Sequence, residues 1–156
     1  MSNIDYYSKY KKYKRKYILL QNGGNAKDVI ENNIVPYFKK NSETMLKNLL
    51  DEHKDIKKFF KIIKDSSIDF NKPSDIEKFN TILNSNIDKV KDLMDDILDK
   101  VFSGVKLYTV KMAAKTAFLV LFKSSKETFI LLVNDFIKQL SKIILSTPSL
   151  SSLIST

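Results

Sequence analysis

Apolar residues recur at helical spacing along most of the chain, and this periodicity constrains the fold more than any other feature. The clearest seam, with successive separations of three and four residues, consists of Ile87, Val90, Met94, Ile97 and Val101. Side chains at this spacing lie on one face of an α-helix. The 156 residues include only three Gly and three Pro, which argues against an architecture of short strands and turns. The sequence therefore predicts an all-α protein.

Start and stop signals divide the chain into helices joined by short connections. The predicted body helices cover residues 26–35, 42–64, 74–102, 106–122 and 125–145. Pro36 and Pro148 are predicted to end the first and the last of them. Capping boxes of the S-x-x-E type, SDIE at 74–77 and SSKE at 124–127, are predicted to begin the third and the fifth. Short connections favour antiparallel neighbours, so we expect an irregular four- or five-helix bundle preceded by a basic amphipathic N-terminal helix.

Three regions of different character follow one another along the chain. Residues 1–24 form a basic leader, and residues 25–147 are predicted to form the bundle. Within the bundle, the two strongly apolar helices at 106–122 and 125–145 are expected to form the central hairpin. The Ser-rich tail at 148–156 carries no charged side chain and is expected to fray.

The leader contains a stripe of tyrosines among basic residues. The stripe has separations of four, three, four and three residues and consists of Tyr6, Tyr10, Tyr13, Tyr17 and Leu20. The basic residues that would cover the rest of the helix are Lys9, Lys11, Lys12, Lys14, Arg15 and Lys16. Gly23 and Gly24 then end the pattern, because glycine is unfavourable inside a helix. The stretch predicts a basic amphipathic helix over 5–20, suited to a groove, a partner helix or the chain's own bundle.

This leader resembles one found on many otherwise unrelated proteins of mimivirus-like giant DNA viruses. The resemblance is carried by residues 9–24, KYKKYKRKYILLQNGG, and extends over about the first 24 residues only. It implies a virus-encoded protein that is carried in the virion and is present in the host cytoplasm or viral factory during infection. Related viruses have a maturation protease that cuts after Gly-Gly, so the resemblance also implies cleavage between Gly24 and Asn25.

The net charge of +9 is concentrated at the two ends of the chain. Residues 1–24 hold six Lys or Arg and one Asp, residues 25–103 hold fourteen Lys and fifteen acids, and residues 104–156 hold seven Lys and two acids. Basic ends can bind nucleic acid, an anionic membrane surface or an acidic protein, or can simply maintain solubility. The lysines that flank the apolar hairpin at 105–145 are Lys106, Lys111, Lys115, Lys123 and Lys126. They leave open a membrane-interface role for this hairpin beside the buried one.

Acidic residues on the 74–102 helix form the second candidate surface. The stripe opposite the apolar seam consists of Asp88, Asp92, Asp95 and Asp99, and Asp96 lies beside it. Three interpretations remain open: a solvated face, a divalent cation site, or a docking face for a basic helix such as the leader. One helix supplies few converging ligands, so no metal site is predicted.

No catalytic constellation stands out in the sequence. The absence of Cys excludes disulfides, thiolate metal sites and a cysteine nucleophile, and neither a phosphate-binding glycine loop nor a nucleophile elbow occurs. Neither a secretory signal nor an apolar run of about 20 residues is found, so no membrane span is expected. His53, among Asp51, Glu52 and Asp55, fits an edge-of-core or salt-bridged histidine better than a general base or a metal ligand.

These features together favour a non-enzymatic role without cofactor, metal or small-molecule substrate. The expected function is that of a structural or accessory component of a giant-virus particle, with other viral proteins as partners. In this interpretation the leader is a packaging or docking signal. The alternatives are a nucleic-acid-associated core protein that uses its basic ends, and a membrane-active viral effector.

Overall fold

The computed structural model describes residues 26–156, and its regular elements in that range are all helical. The seven α-helices of eight residues or more are α1 (Val35–Glu52), α2 (Lys54–Asp65), α3 (Pro73–Ser85), α4 (Ile87–Val101), α5 (Tyr108–Ser124), α6 (Lys126–Ser146) and α7 (Pro148–Ser155). A π-helical turn, Ile30–Ile34, leads into α1, and a 3-10 turn, Val105–Leu107, precedes α5. The all-α prediction is confirmed for this part of the chain. The predicted leader helix at 5–20 lies outside the described residues.

The core is a single cluster of apolar side chains with α6 at its centre. Helix α6 packs against α1, α2, α3, α5 and α7. Fully buried aromatic rings from four helices belong to this cluster, namely Phe59, Phe60, Phe79, Phe118 and Phe129. The predicted central position of the last long helix is therefore confirmed, whereas its hairpin partner α5 is buried only from Ala114 onwards.

The prediction of one continuous helix over 42–64 is wrong, because the helix is interrupted at His53. His53 has φ −119° and ψ 88°, well outside the helical region. The interruption is local, because His53 N–H still donates to the Leu49 carbonyl and Lys57 N–H donates to the His53 carbonyl. The few lost hydrogen bonds allow α1 and α2 to take separate directions, and both helices bury their apolar faces in the same core.

The helix predicted over 74–102 is likewise divided, at Asn86. Asn86 has φ −118° and ψ 20°, and its side-chain Nδ2 donates to the Ile82 carbonyl at 2.8 Å. An asparagine amide that bonds to the backbone in this way competes with the helical hydrogen bonds. The predicted end of this helix at residue 102 is close to the observed one, because α4 ends at Val101, and Gly104 then adopts a positive φ of 103° that favours glycine.

Two of the predicted helix boundaries are shifted and one is wrong. The capping box at 74–77 does not form, because α3 begins one residue earlier at Pro73. The Asp75 carboxylate instead accepts a hydrogen bond from the Asp69 N–H at 2.9 Å. The second box is displaced by one residue, with the Ser125 hydroxyl accepting from the Thr128 N–H. Pro36 does not end a helix as predicted. The wider π-turn before it makes room for the proline ring, which would clash with the carbonyl four residues back in an ordinary α-turn.

The tail predicted to fray is instead a packed helix. Pro148 ends α6 as predicted but also begins α7, a position for which its fixed φ is suited. Leu150 and Ile154, one helical turn apart, are each only 1% exposed, and α7 packs against α1, α2 and α6. Lys64 Nζ donates to the Ser151 carbonyl at 3.1 Å and anchors this helix from α2. Residues 148–155 therefore belong to the core unit.

Candidate functional site

His53 is brought against α4 by the break between α1 and α2. Its Nε2 lies 2.8 Å from Asp96 Oδ2, and both side chains are about a quarter exposed. Glu52, the last residue of α1, places its carboxylate beside this pair. We call Glu52, His53 and Asp96 the His53 cluster. The expectation of a partnered histidine fits this geometry, although the sequence did not identify the partner.

The His53 cluster is bordered by a lysine and by an open cleft. Lys100 Nζ lies 3.1 Å from Glu52 Oε2, and this hydrogen bond raises the pKa of Lys100 despite the opposing effect of its partial burial. The cleft has a volume of about 370 Å³, and its walls are formed by Glu52, His53, Lys54, Asp55, Ile56, Lys89 and Asp92. The cleft is thus mostly charged, and its chemistry favours water and ions over apolar ligands.

The acidic stripe on α4 is engaged mainly by lysines of the chain itself. Asp99 lies 2.6 Å from Lys115 Nζ and 3.6 Å from Lys111 Nζ, so α5 supplies two cations to one carboxylate. Hydrogen bonding to Lys115 lowers the pKa of Asp99. Within α4, Asp95 accepts from Lys91 at 2.9 Å and raises the pKa of that lysine. The stripe therefore docks a lysine-bearing helix of the body, whereas its docking to the leader stays a prediction.

Removal of the Asp99 carboxylate tests the contact between α4 and α5. Because the folded-state pKa of Asp99 is lowered, its stabilising effect is present above the ordinary carboxyl range and disappears as the pH falls through the lowered pKa. Asp99 is 45% exposed, so solvent screening limits the effect of Asp99→Asn to about 1 kcal/mol or less at neutral pH. Urea unfolding of both proteins between neutral and strongly acidic pH measures the difference.

Asp92→Asn is the matched control for Asp99→Asn. Asp92 belongs to the same stripe, is exposed and lies away from both ends of α4, and it has no ion pair among residues 26–156. We expect no measurable change in the free energy of unfolding for this control. Equal effects of the two substitutions, or a difference that persists in strong acid, would contradict a specific role for Asp99.

The first turns of α5 carry an exposed apolar surface. Four side chains within six residues are 40–57% exposed: Leu107, Tyr108, Val110 and Met112. We call these residues the α5 patch. Lys111 lies among them, with its Nζ 5.6 Å from the centre of the Tyr108 ring. A single exposed apolar residue such as Leu131 on α6 needs no explanation, but four of them within six residues, on more than one side of the helix, indicate a contact surface.

The remaining predicted residues fall into two groups. The tyrosines and basic residues of the leader, and the cleavage residues Gly23, Gly24 and Asn25, lie outside the described residues. Of the lysines that flank the hairpin, Lys111 and Lys115 pair with Asp99, and Lys126 Nζ lies 5.2 Å from the centre of the Phe122 ring. Within residues 26–156, no helix combines the length and the apolar character that crossing a membrane requires.

Comparisons with protein-family models, with curated proteins and with solved structures each found no match to this chain.

Proposed function

We infer that this protein is a non-enzymatic structural or accessory component of a giant-virus particle that acts through protein–protein contacts. The single observation that supports a contact role is the α5 patch. Its Tyr and Met residues are types enriched in protein interfaces, and it is displayed by a helix rather than by a flexible loop. The leader resemblance supplies the viral part of the proposal. In this proposal the body is a helical bundle, and the leader is a packaging or docking signal that is removed after Gly24.

Ordered contacts within the body favour this proposal over the nucleic-acid alternative. The C-terminal third is basic overall, yet Lys111, Lys115 and Lys126 are placed beside aspartates of α4. Cations that already neutralise carboxylates release fewer counterions from a phosphate backbone. If the alternative is correct, the full chain will bind mixed-sequence DNA with an affinity that falls steeply as salt is added.

Mass spectrometry combined with crosslinking tests the proposal. The intact mass is measured for the protein recovered from purified particles and from infected-cell lysate. We expect a particle form that begins at Asn25 and a full-length form in the lysate. A photo-crosslinking amino acid at Tyr108 is then expected to capture one defined viral protein in particles.

The control for the crosslinking experiment is the same amino acid at Leu131. Leu131 is 77% exposed but isolated on α6, so it reports chance contacts of an exposed apolar position. Absence of the protein from particles would overturn the structural role. Equal crosslinking from Tyr108 and Leu131 would overturn the assignment of the contact to the α5 patch. Full-length protein in particles would remove only the cleavage step.

A further inference from the structure

We propose that the His53 cluster binds a divalent transition-metal ion of the Zn²⁺ class. The cluster combines one imidazole nitrogen with two carboxylates, and its ligand atoms all lie within 4.8 Å of one another. Two of the ligands come from the junction of α1 and α2, and the third comes from α4. A metal at this point would therefore link segments that are 43 residues apart in the sequence.

The break in the helix is what allows two neighbouring residues to serve one site. Adjacent side chains on a regular helix point in directions about 100° apart and do not face a common point. His53 leaves the helical conformation, with ψ of 88°, and Asp96 then meets its Nε2 from α4. The convergence of Glu52 and His53 on Asp96 therefore depends on the tertiary structure and could not be found from sequence spacing.

The distances require only small movements of side chains. Zn²⁺ binds nitrogen and oxygen at about 2.0–2.1 Å in tetrahedral geometry, which places two ligand atoms roughly 3.3 Å apart. The 2.8 Å between His53 Nε2 and Asp96 Oδ2 must widen by about 0.5 Å as the metal replaces the proton between them. Glu52 is half exposed, so its side chain has room to rotate towards the other two when Lys100 releases its carboxylate. The adjoining cleft leaves the fourth position to water.

The types of ligand atom decide which metal is favoured. An imidazole with two carboxylates suits Zn²⁺ and its neighbours in the first transition row, whereas Mg²⁺ and Ca²⁺ prefer oxygen ligands throughout. Lys100 competes with the metal, because its Nζ lies 3.1 Å and 3.3 Å from the two carboxylate oxygens of Glu52. Removal of this positive charge is therefore expected to strengthen metal binding.

The composition of the chain makes the experiment specific. His53 is the only histidine in the sequence, and there is no cysteine, so a single imidazole signal reports on this site. The full chain without a polyhistidine tag is titrated with Zn²⁺ in a non-coordinating buffer. Binding is followed by calorimetry and by the NMR resonances of the imidazole ring. We expect one Zn²⁺ per chain and a shift of the His53 resonances that saturates at the same ratio.

Four substitutions define the ligands and the control. Glu52→Gln and Asp96→Asn are each expected to weaken Zn²⁺ binding by about tenfold or more, since loss of even indirect metal partners has effects of that size. Lys100→Met is expected to tighten it. Asp92→Asn, which removes a carboxylate from the cleft wall but not from the cluster, is expected to weaken binding far less, because it acts only through its more distant charge.

Two results would overturn the metal site. The first is an imidazole resonance that does not move in a large molar excess of Zn²⁺. The second is an equal loss of affinity for Asp92→Asn and Asp96→Asn, which would indicate diffuse attraction to an acidic surface. Lys100→Met keeps the proposal testable if the other variants fold poorly, because it acts in the opposite direction. The outcome is independent of the role in the particle, which is tested through the α5 patch.

Discussion

Replacement of Phe129 by alanine is expected to lower the free energy of unfolding by about 3–5 kcal/mol. The Phe129 side chain is fully buried in α6, the helix at the centre of the core. Its ring makes edge-to-face contacts with Phe122 at 5.3 Å and with Phe118 at 6.3 Å between ring centres. The substitution removes the burial of a large ring and leaves a cavity between α5 and α6. Urea unfolding followed by circular dichroism measures the change.

The expected loss is a large part of the total stability. The free energy of unfolding of a domain is usually only about 5–15 kcal/mol, so Phe129→Ala is expected to leave a protein that is only marginally stable. Phe122→Ala is the matched control, because Phe122 contacts the same ring but is only partly buried and packs at the edge of the core. We expect a clearly smaller loss for the control. Similar losses for the two variants would contradict the central position of α6.

Truncation of the two buried residues of α7 is expected to have the second largest effect. Leu150→Ala and Ile154→Ala are each expected to reduce the free energy of unfolding by about 2–5 kcal/mol. Both side chains are almost fully buried against α1, α2 and α6. Thermal and urea unfolding of the full chain measure these losses.

Ser152→Ala provides the control within the same helix. Ser152 is exposed, so this substitution is expected to change the free energy of unfolding by no more than about 0.5 kcal/mol. A frayed segment would give equally small effects at all three positions. That result would contradict the packed helix and restore the interpretation made from the sequence.

The His53 cluster and the α5 patch illustrate why candidate sites were harder to predict than helices. His53 and Asp96 are far apart in the sequence, and nothing in the spacing of either residue indicates the other. The exposure of Tyr108 and Val110 is equally invisible, because large apolar residues occur in their segment as well as in the buried half of α5. In both cases the outcome depends on which helix packs against the residue, and the local sequence does not show this.

The interrupted helices have the same explanation. The apolar positions of 42–64 keep helical spacing on both sides of His53, so periodicity predicts one continuous helix. The break costs few hydrogen bonds, and burial of Ile56 and Phe59 in the common core outweighs them. Asn86 differs, because an asparagine side chain competes with helical hydrogen bonds. The sequence therefore contained a local signal for this break, but the helical periodicity on both sides predicted a continuous helix.

The sequence by itself determined the all-α class, the buried face of α4 and the end of that helix near residue 102, because these follow from local spacing and backbone preference. Only the tertiary structure decided the break at His53, the packing of α7, the pairing of Asp99 with the lysines of α5, and the convergence of the His53 cluster. Each of these depends on contacts between segments distant in sequence. In such contacts burial of apolar area and pairing of charge outweigh local propensities of a few tenths of a kcal/mol per residue.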